Sequence, residues 1–234
     1  MTHRSFARQL DWLQSNFDVV SLEEAQRRVR STHNDRPTVA ITFDDGYAEN
    51  SRTAIPELVR RNLPATYFVA TNYVSNGESF PHDRERGVRL PPNTIDDLKE
   101  YVALGIELGA HTKSHANLGA ISDIQTLRDE IVGSARQLEE WCQVPIRYFS
   151  FPYGLPENTS QIAVDIVREA GFQGFCTAYN AWNWPCSHGF HLRRIHADPG
   201  LQSLMNRLTL DPRKLYDDHN LPFAETLETA RCLI

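Results

Sequence analysis

Short apolar runs alternate with longer amphipathic stretches along most of the chain. Each apolar run predicts a buried strand. Strands are expected at 38–43, 65–70, 105–110, 147–151, 172–177 and 191–195, with a shorter strand or turn at 18–20. Stretches with apolar residues at helical spacing predict helices. Helices are expected at 4–16, 21–30, 48–62, 94–104, 122–141 and 157–170, and the tail from about residue 200 is expected to be mostly helical. Pro56 is expected to begin or kink the helix at 48–62.

The repeated alternation of strands and helices indicates an α/β fold with parallel strands and right-handed crossovers. A (β/α) barrel and an open doubly wound sheet both fit this pattern. No Gly-x-Gly-x-x-Gly follows a predicted strand, which disfavours a dinucleotide-binding site. The segment 72–93 is rich in glycine, proline and charge and predicts a long surface loop. No domain boundary is evident, so residues 1–234 predict one domain.

Composition and charge exclude several classes of protein. The 234-residue chain is 41% hydrophobic with a formal net charge of −6, which fits a globular protein. No long basic run suggests nucleic acid as a partner, and no apolar stretch approaches the roughly 18 residues that span a membrane. The first residues lack the apolar core of a signal peptide. This predicts a cytoplasmic protein, or an extracytoplasmic one if the natural start lies upstream.

Two adjacent carboxylates, Asp44 and Asp45, follow the strand predicted at 38–43. Neighbouring side chains of a strand point to opposite faces, so at a strand end one carboxylate can face a metal and the other a substrate or water. Gly46 permits a sharp turn directly after them. Taken alone, the trio is better interpreted as a strand-to-helix turn in which an aspartate caps the helix.

His111 and His115 also follow a predicted strand. If residues 111–115 form a helical turn, both imidazoles lie on one face. The carboxyl ends of parallel strands meet on one side of the fold, so the histidines and the two aspartates are expected to converge. Two histidines and one carboxylate leave a coordination position open, as catalytic metal sites do. Thr112 stands where the metalloprotease motif His-Glu-x-x-His requires glutamate, which excludes that motif.

With these residues in place, the chain resembles the polysaccharide deacetylases, also called the NodB-homology or carbohydrate esterase family 4 enzymes. The resemblance extends from about residue 6 to residue 196. It is carried by three motifs, which are Thr42-Phe43-Asp44-Asp45-Gly46, His111-Thr112-Lys113-Ser114-His115 and Phe151-Pro152-Tyr153-Gly154. The resemblance implies a distorted (β/α)7 barrel. Relatives of this subtype carry an additional N-terminal strand that is not evident here, so an open barrel edge is expected.

The resemblance also implies roles for individual residues. Asp45, His111 and His115 would bind a divalent metal, zinc by default, with cobalt, nickel or manganese as alternatives. Asp44 would be the general base that activates the attacking water. The remaining roles are an oxyanion contact from the Tyr153 N–H, leaving-group protonation by His196, and substrate binding by Pro152 and Tyr153. Trp182 and Trp184 are further candidates for substrate binding, because aromatic faces stack on sugar rings, and the alternative is that they anchor their loop on the barrel.

The sequence departs from the family pattern in the later motifs. Ser150 stands where many members carry an arginine that orients the catalytic aspartate, and Arg193 or Arg194 is the candidate replacement. The fourth motif, an aspartate beside a tryptophan, is not clear, because Asn183 lies between the two tryptophans of this region. The fifth motif around His196 is only approximate, and a surface histidine is the alternative interpretation.

The implied function is metal-dependent removal of acetyl groups from N-acetylated sugars of a polysaccharide or glycan precursor, with carbohydrate as the partner. Two alternatives stay open. The missing arginine and the blurred fourth motif would also fit a carbohydrate-binding relative with weak or no turnover. An O-acetyl esterase would use the same metal site on a different bond.

Overall fold

The computed structural model describes residues 1–32 and 34–209. Seven strands form one sheet in which every pair of neighbours is parallel and the spatial order is the chain order. The strands are β1 (Asp18–Val20), β2 (Thr38–Phe43), β3 (Ala65–Val69), β4 (Glu107–Ala110), β5 (Tyr148–Ser150), β6 (Gly174–Thr177) and β7 (His191–Arg193). All seven predicted strands are confirmed, most of them one or two residues shorter than expected.

Helices connect the strands and flank the sheet. They are α1 (His3–Asn16), α2 (Leu22–Arg30), α3 (Glu49–Arg52), α4 (Ala54–Arg60), α5 (Thr71–Asn76), α6 (Pro81–Glu85), α7 (Ile95–Ala103), α8 (Ile124–Arg128), α9 (Ser134–Cys142), α10 (Gln161–Glu169) and α11 (Leu201–Leu208). A π-helical turn, Asp129–Gly133, joins α8 to α9. Among the described residues, no helix combines the length and the apolar content that crossing a membrane requires.

The order of the strands decides between the two folds that the alternation allowed. A doubly wound sheet reverses its strand order at a switch point, whereas this sheet runs from β1 to β7 without a reversal. It curls into a half-barrel, which confirms the distorted (β/α)7 barrel. β1 and β7 are its two ends and do not pair with each other. The expected open edge is therefore present, although the sheet has seven strands.

Alternation along the strands divides the apolar core into two layers. Tyr67, Phe149 and Phe175 belong to the larger layer, which packs the sheet against the helices. Their neighbours Phe68, Tyr148 and Cys176 belong to a smaller layer on the other face of the sheet. Because strand residues alternate between faces, the residue two positions after each member of the smaller layer points to the same face, closer to the carboxyl end of its strand. The candidate site lies at this end of the sheet.

Helix α2 contributes one buried amide near the open side of the barrel. Gln26 is only 3% exposed. Its Nε2 donates to the carbonyl oxygens of Gln173 and Gly189, both at 2.7 Å, and its Oε1 accepts from the Tyr148 hydroxyl at 3.1 Å. Gln26 thereby ties α2 to the segments that lead into β6 and β7, on the side where the sheet has no strand pairing.

Two predicted elements differ in detail from the structure. The helix expected at 48–62 is interrupted, as Pro56 predicts, but the break lies at Thr53, because Pro56 has no N–H to bond the carbonyl four residues earlier. The surface loop expected at 72–93 contains the end of α5 and all of α6. The helical tail is confirmed for α11, and residues 210–234 lie outside the described part of the chain.

We predict that Gln26→Ala lowers the free energy of unfolding by about 2–3 kcal/mol, because it leaves buried carbonyl and hydroxyl groups without their partner. Urea denaturation measures the change. Arg27→Ala is the matched control on the same helix, since Arg27 pairs with Glu24 on the surface and such exposed pairs contribute little to stability. Equal losses for the two variants would contradict the assigned role of Gln26.

Candidate active site

Polar side chains from four strands meet at the carboxyl end of the half-barrel. Asp44 and Asp45 follow β2, His111 follows β4, Ser150 ends β5 and Arg194 follows β7. In a parallel sheet these ends lie on one side. The contacts of Asp45 with His111 and His115 confirm the predicted convergence of the aspartates and histidines.

Asp45, His111 and His115 form a compact set of potential metal ligands. Asp45 Oδ1 lies 3.3 Å from His111 Nε2 and 3.2 Å from His115 Nε2. One ligand atom from each of the three lies within 4.8 Å of the others. His111 Nδ1 is 2.7 Å from the Ser150 carbonyl oxygen, which only accepts. Nδ1 therefore carries a proton, and Nε2 is the ring nitrogen that faces Asp45, as in a histidine oriented to bind a metal.

The histidines converge without the helical turn that their spacing predicted. Thr112 and His115 have φ values of +64° and +57°, in the left-handed region. The helical turn that would place both imidazoles on one face is therefore absent, because residues in the left-handed region interrupt an α-helix. The imidazole centroids of His111 and His115 are nevertheless 5.1 Å apart.

The turn after β2 sends the two carboxylates to different partners. Asp45 has φ +75° and Gly46 has φ +97°. A Cβ at Gly46 would lie 3.3 Å from Val69 Cγ1, so both the dihedral and the space favour glycine. Asp45 contacts the histidines, while Asp44 contacts an arginine.

Arg194 holds Asp44 in a bidentate ion pair. Nη1 and Nη2 each donate to one carboxylate oxygen of Asp44 at 2.7 Å. The guanidinium also donates to Ser150 Oγ at 2.8 Å and to Thr42 Oγ1 at 3.2 Å. Of the two candidate replacements for the missing motif arginine, the structure therefore places Arg194 on the aspartate. Its guanidinium contacts Ser150, the residue that stands where many family members carry the arginine.

The surroundings keep both carboxylates ionised. Burial alone would raise the pKa of Asp44, but the charges of Arg194 and His111 outweigh it, and the pKa lies below its usual range. Burial likewise raises the pKa of Asp45, and the hydrogen bonds from His111 and His115 lower it further than burial raises it. An ionised Asp44 next to a ligand cluster can accept a proton.

Comparison with known proteins identifies the family. A family model described as polysaccharide deacetylase matches residues 31–175, more than half of the chain. The chain belongs to the polysaccharide deacetylase family. Membership indicates a hydrolase that removes acetyl groups from sugar polymers.

Individual deacetylases and related proteins agree with this assignment. YxkH of Bacillus subtilis (strain 168), whose name refers to the same activity, is 24% identical over 202 residues, which are 85% of this chain and 66% of that protein. A peptidoglycan-N-acetylglucosamine deacetylase of Bacillus cereus is 26% identical over 176 residues, 75% of this chain and 68% of that enzyme. The chain thus spans about two thirds of these relatives.

The fold is also that of a solved deacetylase. The structure of the Streptococcus pyogenes deacetylase PplD in complex with acetate matches with a TM-score of 0.74 at 20% identity. The match covers 89% of this chain and 87% of that one. At this identity the likeness shows the shared barrel, and the roles of individual residues rest on the geometry described above.

The third deacetylase motif lies beside the ligand cluster. Pro152 is buried, whereas Tyr153 is 57% exposed, and its ring centroid is 4.9 Å from that of His115. Tyr153 has φ +60° and Gly154 has φ +66°. A Cβ at Gly154 would lie 2.6 Å from the Ala178 nitrogen, so only glycine fits there. Within the described residues, no hydrogen bond engages the Tyr153 amide.

His196 is not brought to the cluster. Its side chain is 77% exposed, and Nε2 lies 3.5 Å from Asp198 Oδ1. Asp198 in turn accepts hydrogen bonds from Ser203 and Arg207 of α11. No contact in the described structure supports the predicted role of His196 as a proton donor.

Trp182 and Trp184 form a pair near β7. Their ring centroids are 5.4 Å apart, and Trp184 is 45% exposed. Asn183 fixes the segment between them, because its side chain donates to the Arg193 carbonyl at 2.7 Å and accepts from the Arg193 amide at 2.9 Å. No contact joins either indole to the ligand cluster within the described residues, so their predicted substrate role stays a prediction.

The segment 72–93 contributes to the site in a way that its composition did not predict. Phe80 is fully buried with its ring centroid 5.5 Å from that of His115. The Tyr47 hydroxyl donates to Asp83 Oδ2 at 2.7 Å and lies 3.0 Å from His82 Nε2. The Asn93 amide donates to the Gly46 carbonyl at 2.7 Å. The segment therefore packs against the carboxylate turn.

We predict that Arg194→Lys lowers acetate release by about 10²-fold, because one ammonium cannot make both hydrogen bonds and a small misplacement of a catalytic group has this cost. Arg193→Lys is the matched control, since Arg193 makes no side-chain bond to Asp44. Turnover numbers of both variants against wild type provide the comparison. Similar activity of Arg194→Lys and wild type would show that Asp44 needs no bidentate partner.

Proposed function

We propose that the protein removes acetyl groups from an N-acetylated sugar of a polysaccharide or glycan precursor by metal-assisted amide hydrolysis. The observation that carries the proposal is the split between two adjacent carboxylates. Asp45 contacts the two histidines, and Asp44 is held by Arg194 next to them. The shared fold and the family membership support the same activity.

The ligand set fits a divalent cation. Asp45, His111 and His115 supply one oxygen and two nitrogens, a combination found in catalytic zinc sites with an open position. The proton on His111 Nδ1 is fixed by the Ser150 carbonyl, as expected for a metal-binding imidazole. When bound, such a cation acidifies water and polarises a carbonyl group. Zinc is the default, and cobalt, nickel or manganese would suit the same donors.

The residues of the chain supply the remaining chemistry. Asp44 accepts a proton from the attacking water while the water oxygen forms a bond to the acetyl carbon. The Tyr153 N–H donates a hydrogen bond to the oxygen that gains negative charge. The C–N bond then breaks, and acetate and a free amine are the products.

The leaving nitrogen needs a proton, and Asp44 is the group best placed to return the one it has accepted. The predicted donor, His196, pairs with Asp198 instead. We therefore propose that Asp44 serves first as base and then as acid. It keeps the accepted proton until that proton passes to the leaving nitrogen, and this transfer returns Asp44 to the ionised form that pairs with Arg194.

The substrate class follows from the chemistry and from the relatives. A peptidoglycan-N-acetylglucosamine deacetylase is among the similar proteins, which supports an N-acetylated hexosamine. The exposed ring of Tyr153, next to His115, offers a face for a pyranose ring, and Trp182 and Trp184 offer a second aromatic surface. An ester substrate would meet the same groups, so matched N-acetyl and O-acetyl substrates separate the two activities. A binding protein without turnover is disfavoured, because Arg194 supplies the arginine whose apparent loss was one of the two features that suggested it.

We predict that protein stripped with a chelator releases no acetate from acetylated chito-oligosaccharides and that zinc restores the activity. Asp44→Asn is expected to lower turnover by about 10²–10⁴-fold, because it removes the proton acceptor. The variant should still bind zinc, whereas Asp45→Asn should lose both zinc and activity. Acetate and bound zinc are measured on the same samples. Full activity of Asp44→Asn, or full activity of the stripped protein, would contradict the proposal.

We predict that His196→Gln lowers turnover less than about tenfold, since a general acid contributes about 10²–10⁴-fold and His196 makes no contact with the site. The pH dependence of turnover is recorded for the variant and for wild type. A loss above 10²-fold, together with loss of the alkaline limb of the profile, would assign the proton donor to His196 after all.

A further inference from the structure

The loop that carries both histidine ligands, residues 111–115, is held by hydrogen bonds from two sides. On one side, the start of α5 donates to three consecutive carbonyl oxygens of the loop. These bonds join the Thr71 amide to the Thr112 carbonyl at 3.2 Å, the Asn72 amide to the Lys113 carbonyl at 2.8 Å and the Tyr73 hydroxyl to the Ser114 carbonyl at 3.3 Å. The carbonyl groups between the ligands are therefore all bonded.

On the other side, the Glu130 carboxylate accepts from three donors of the loop interior. Glu130 Oε2 accepts from the amides of Lys113 and Ser114, both at 2.9 Å. Glu130 Oε1 accepts from the Ser114 hydroxyl at 2.6 Å. Glu130 lies outside the three sequence motifs and outside the ligand set.

The loop needs this acceptor because of its backbone conformation. Thr112 and His115 are left-handed, so the amides between them cannot bond within a helix. An unsatisfied buried amide costs about 1–3 kcal/mol, and hydrogen bonds to a charged acceptor are the stronger kind. Two such amides on one carboxylate fix the path of the chain between the two histidines.

Glu130 is presented by a distortion of its own helix. The turn Asp129–Gly133 is π-helical and lies inside an otherwise continuous helix from α8 to α9. Such turns are rare and occur often at functional sites. The same turn receives Lys113, whose Nζ is 2.7 Å from Asp129 Oδ1 and whose stem crosses Gly133, where a Cβ would lie 2.7 Å from Lys113 Cε.

We propose that Glu130 is a positioning residue of the metal site and that the π-helical turn exists to present it to the histidine loop. Through the amides of Lys113 and Ser114 it sets the separation and orientation of the His111 and His115 imidazoles. It therefore determines how tightly the metal is held, without being a ligand. The inference rests on the proposed metal-dependent function.

The test measures zinc affinity by competition with a chromophoric chelator. Glu130→Ala is expected to weaken zinc binding by about 10–100-fold, the usual effect of losing a group that orients metal ligands. Glu130→Gln is expected to stay within about fivefold of wild type, because its carboxamide oxygen can accept both amides and its NH2 group can donate to the Ser114 hydroxyl, so the contacts are kept while the charge is lost. The visible spectrum of the cobalt-loaded protein should change for Glu130→Ala and not for Glu130→Gln.

Asp129→Asn is the matched control, since it alters the neighbouring carboxylate of the same turn. The Asp129 side chain is 60% exposed where it pairs with Lys113, and exposed ion pairs contribute little to stability. Zinc affinity should be unchanged. If Glu130→Ala does not fold, Ser114→Ala removes one of the three bonds, and the proposal then requires a smaller loss of zinc affinity with the same cobalt spectral change.

The possible outcomes separate the two proposals. Wild-type protein that binds no zinc or cobalt would overturn the proposed function and this inference together. Tight wild-type binding with equal affinity and an unchanged cobalt spectrum in folded Glu130→Ala would overturn the inference alone. Weaker binding in Glu130→Ala, with near wild-type binding in Glu130→Gln and Asp129→Asn, would establish it.

Discussion

The bidentate ion pair between Arg194 and Asp44 joins the two sides of the half-barrel where the sheet leaves a gap. β1 pairs only with residues 38–40 of β2, and residues 41–43 pair with β3 on the opposite side. The upper part of β2 is thus the place where Arg194, arriving from the end of β7, reaches Thr42 and Asp44. One guanidinium therefore fixes the catalytic carboxylate and ties the last strand to the second.

This pair also explains how two adjacent aspartates acquire different roles. A carboxylate with both oxygens on a guanidinium is not free to turn toward the histidines, and the left-handed Asp45 is the one that reaches them. Asp45, Thr112, His115 and Tyr153 all have positive φ, and each such residue costs about 1–3 kcal/mol unless its surroundings hold it. The contacts from Arg194, Glu130 and the segment 72–93 supply that support.

The sequence was a good guide to the strands and to the ligands, for physical reasons. Buried parallel strands are continuous apolar runs, and residues just after them must meet at one end, which located Asp44, Asp45, His111 and His115. Side-chain partners from distant segments were harder to predict. Arg193 and Arg194 were both candidates to replace the motif arginine. Neighbouring residues of a strand point to opposite faces, and the sequence alone did not show which of the two faces the site. Glu130 and Gln26 carried no sequence signal, since their partners are backbone groups. A single domain and the cellular location stay predictions.

The central claim is that Asp45 binds the metal while Asp44 stays on Arg194. Anomalous diffraction at the zinc edge, from crystals of the zinc-loaded protein, tests it most directly. The account predicts one zinc ion bound by Asp45, His111 and His115, with both oxygens of Asp44 still on the guanidinium of Arg194. Zinc bound by Asp44, or an Asp44 carboxylate released from Arg194, would contradict the account.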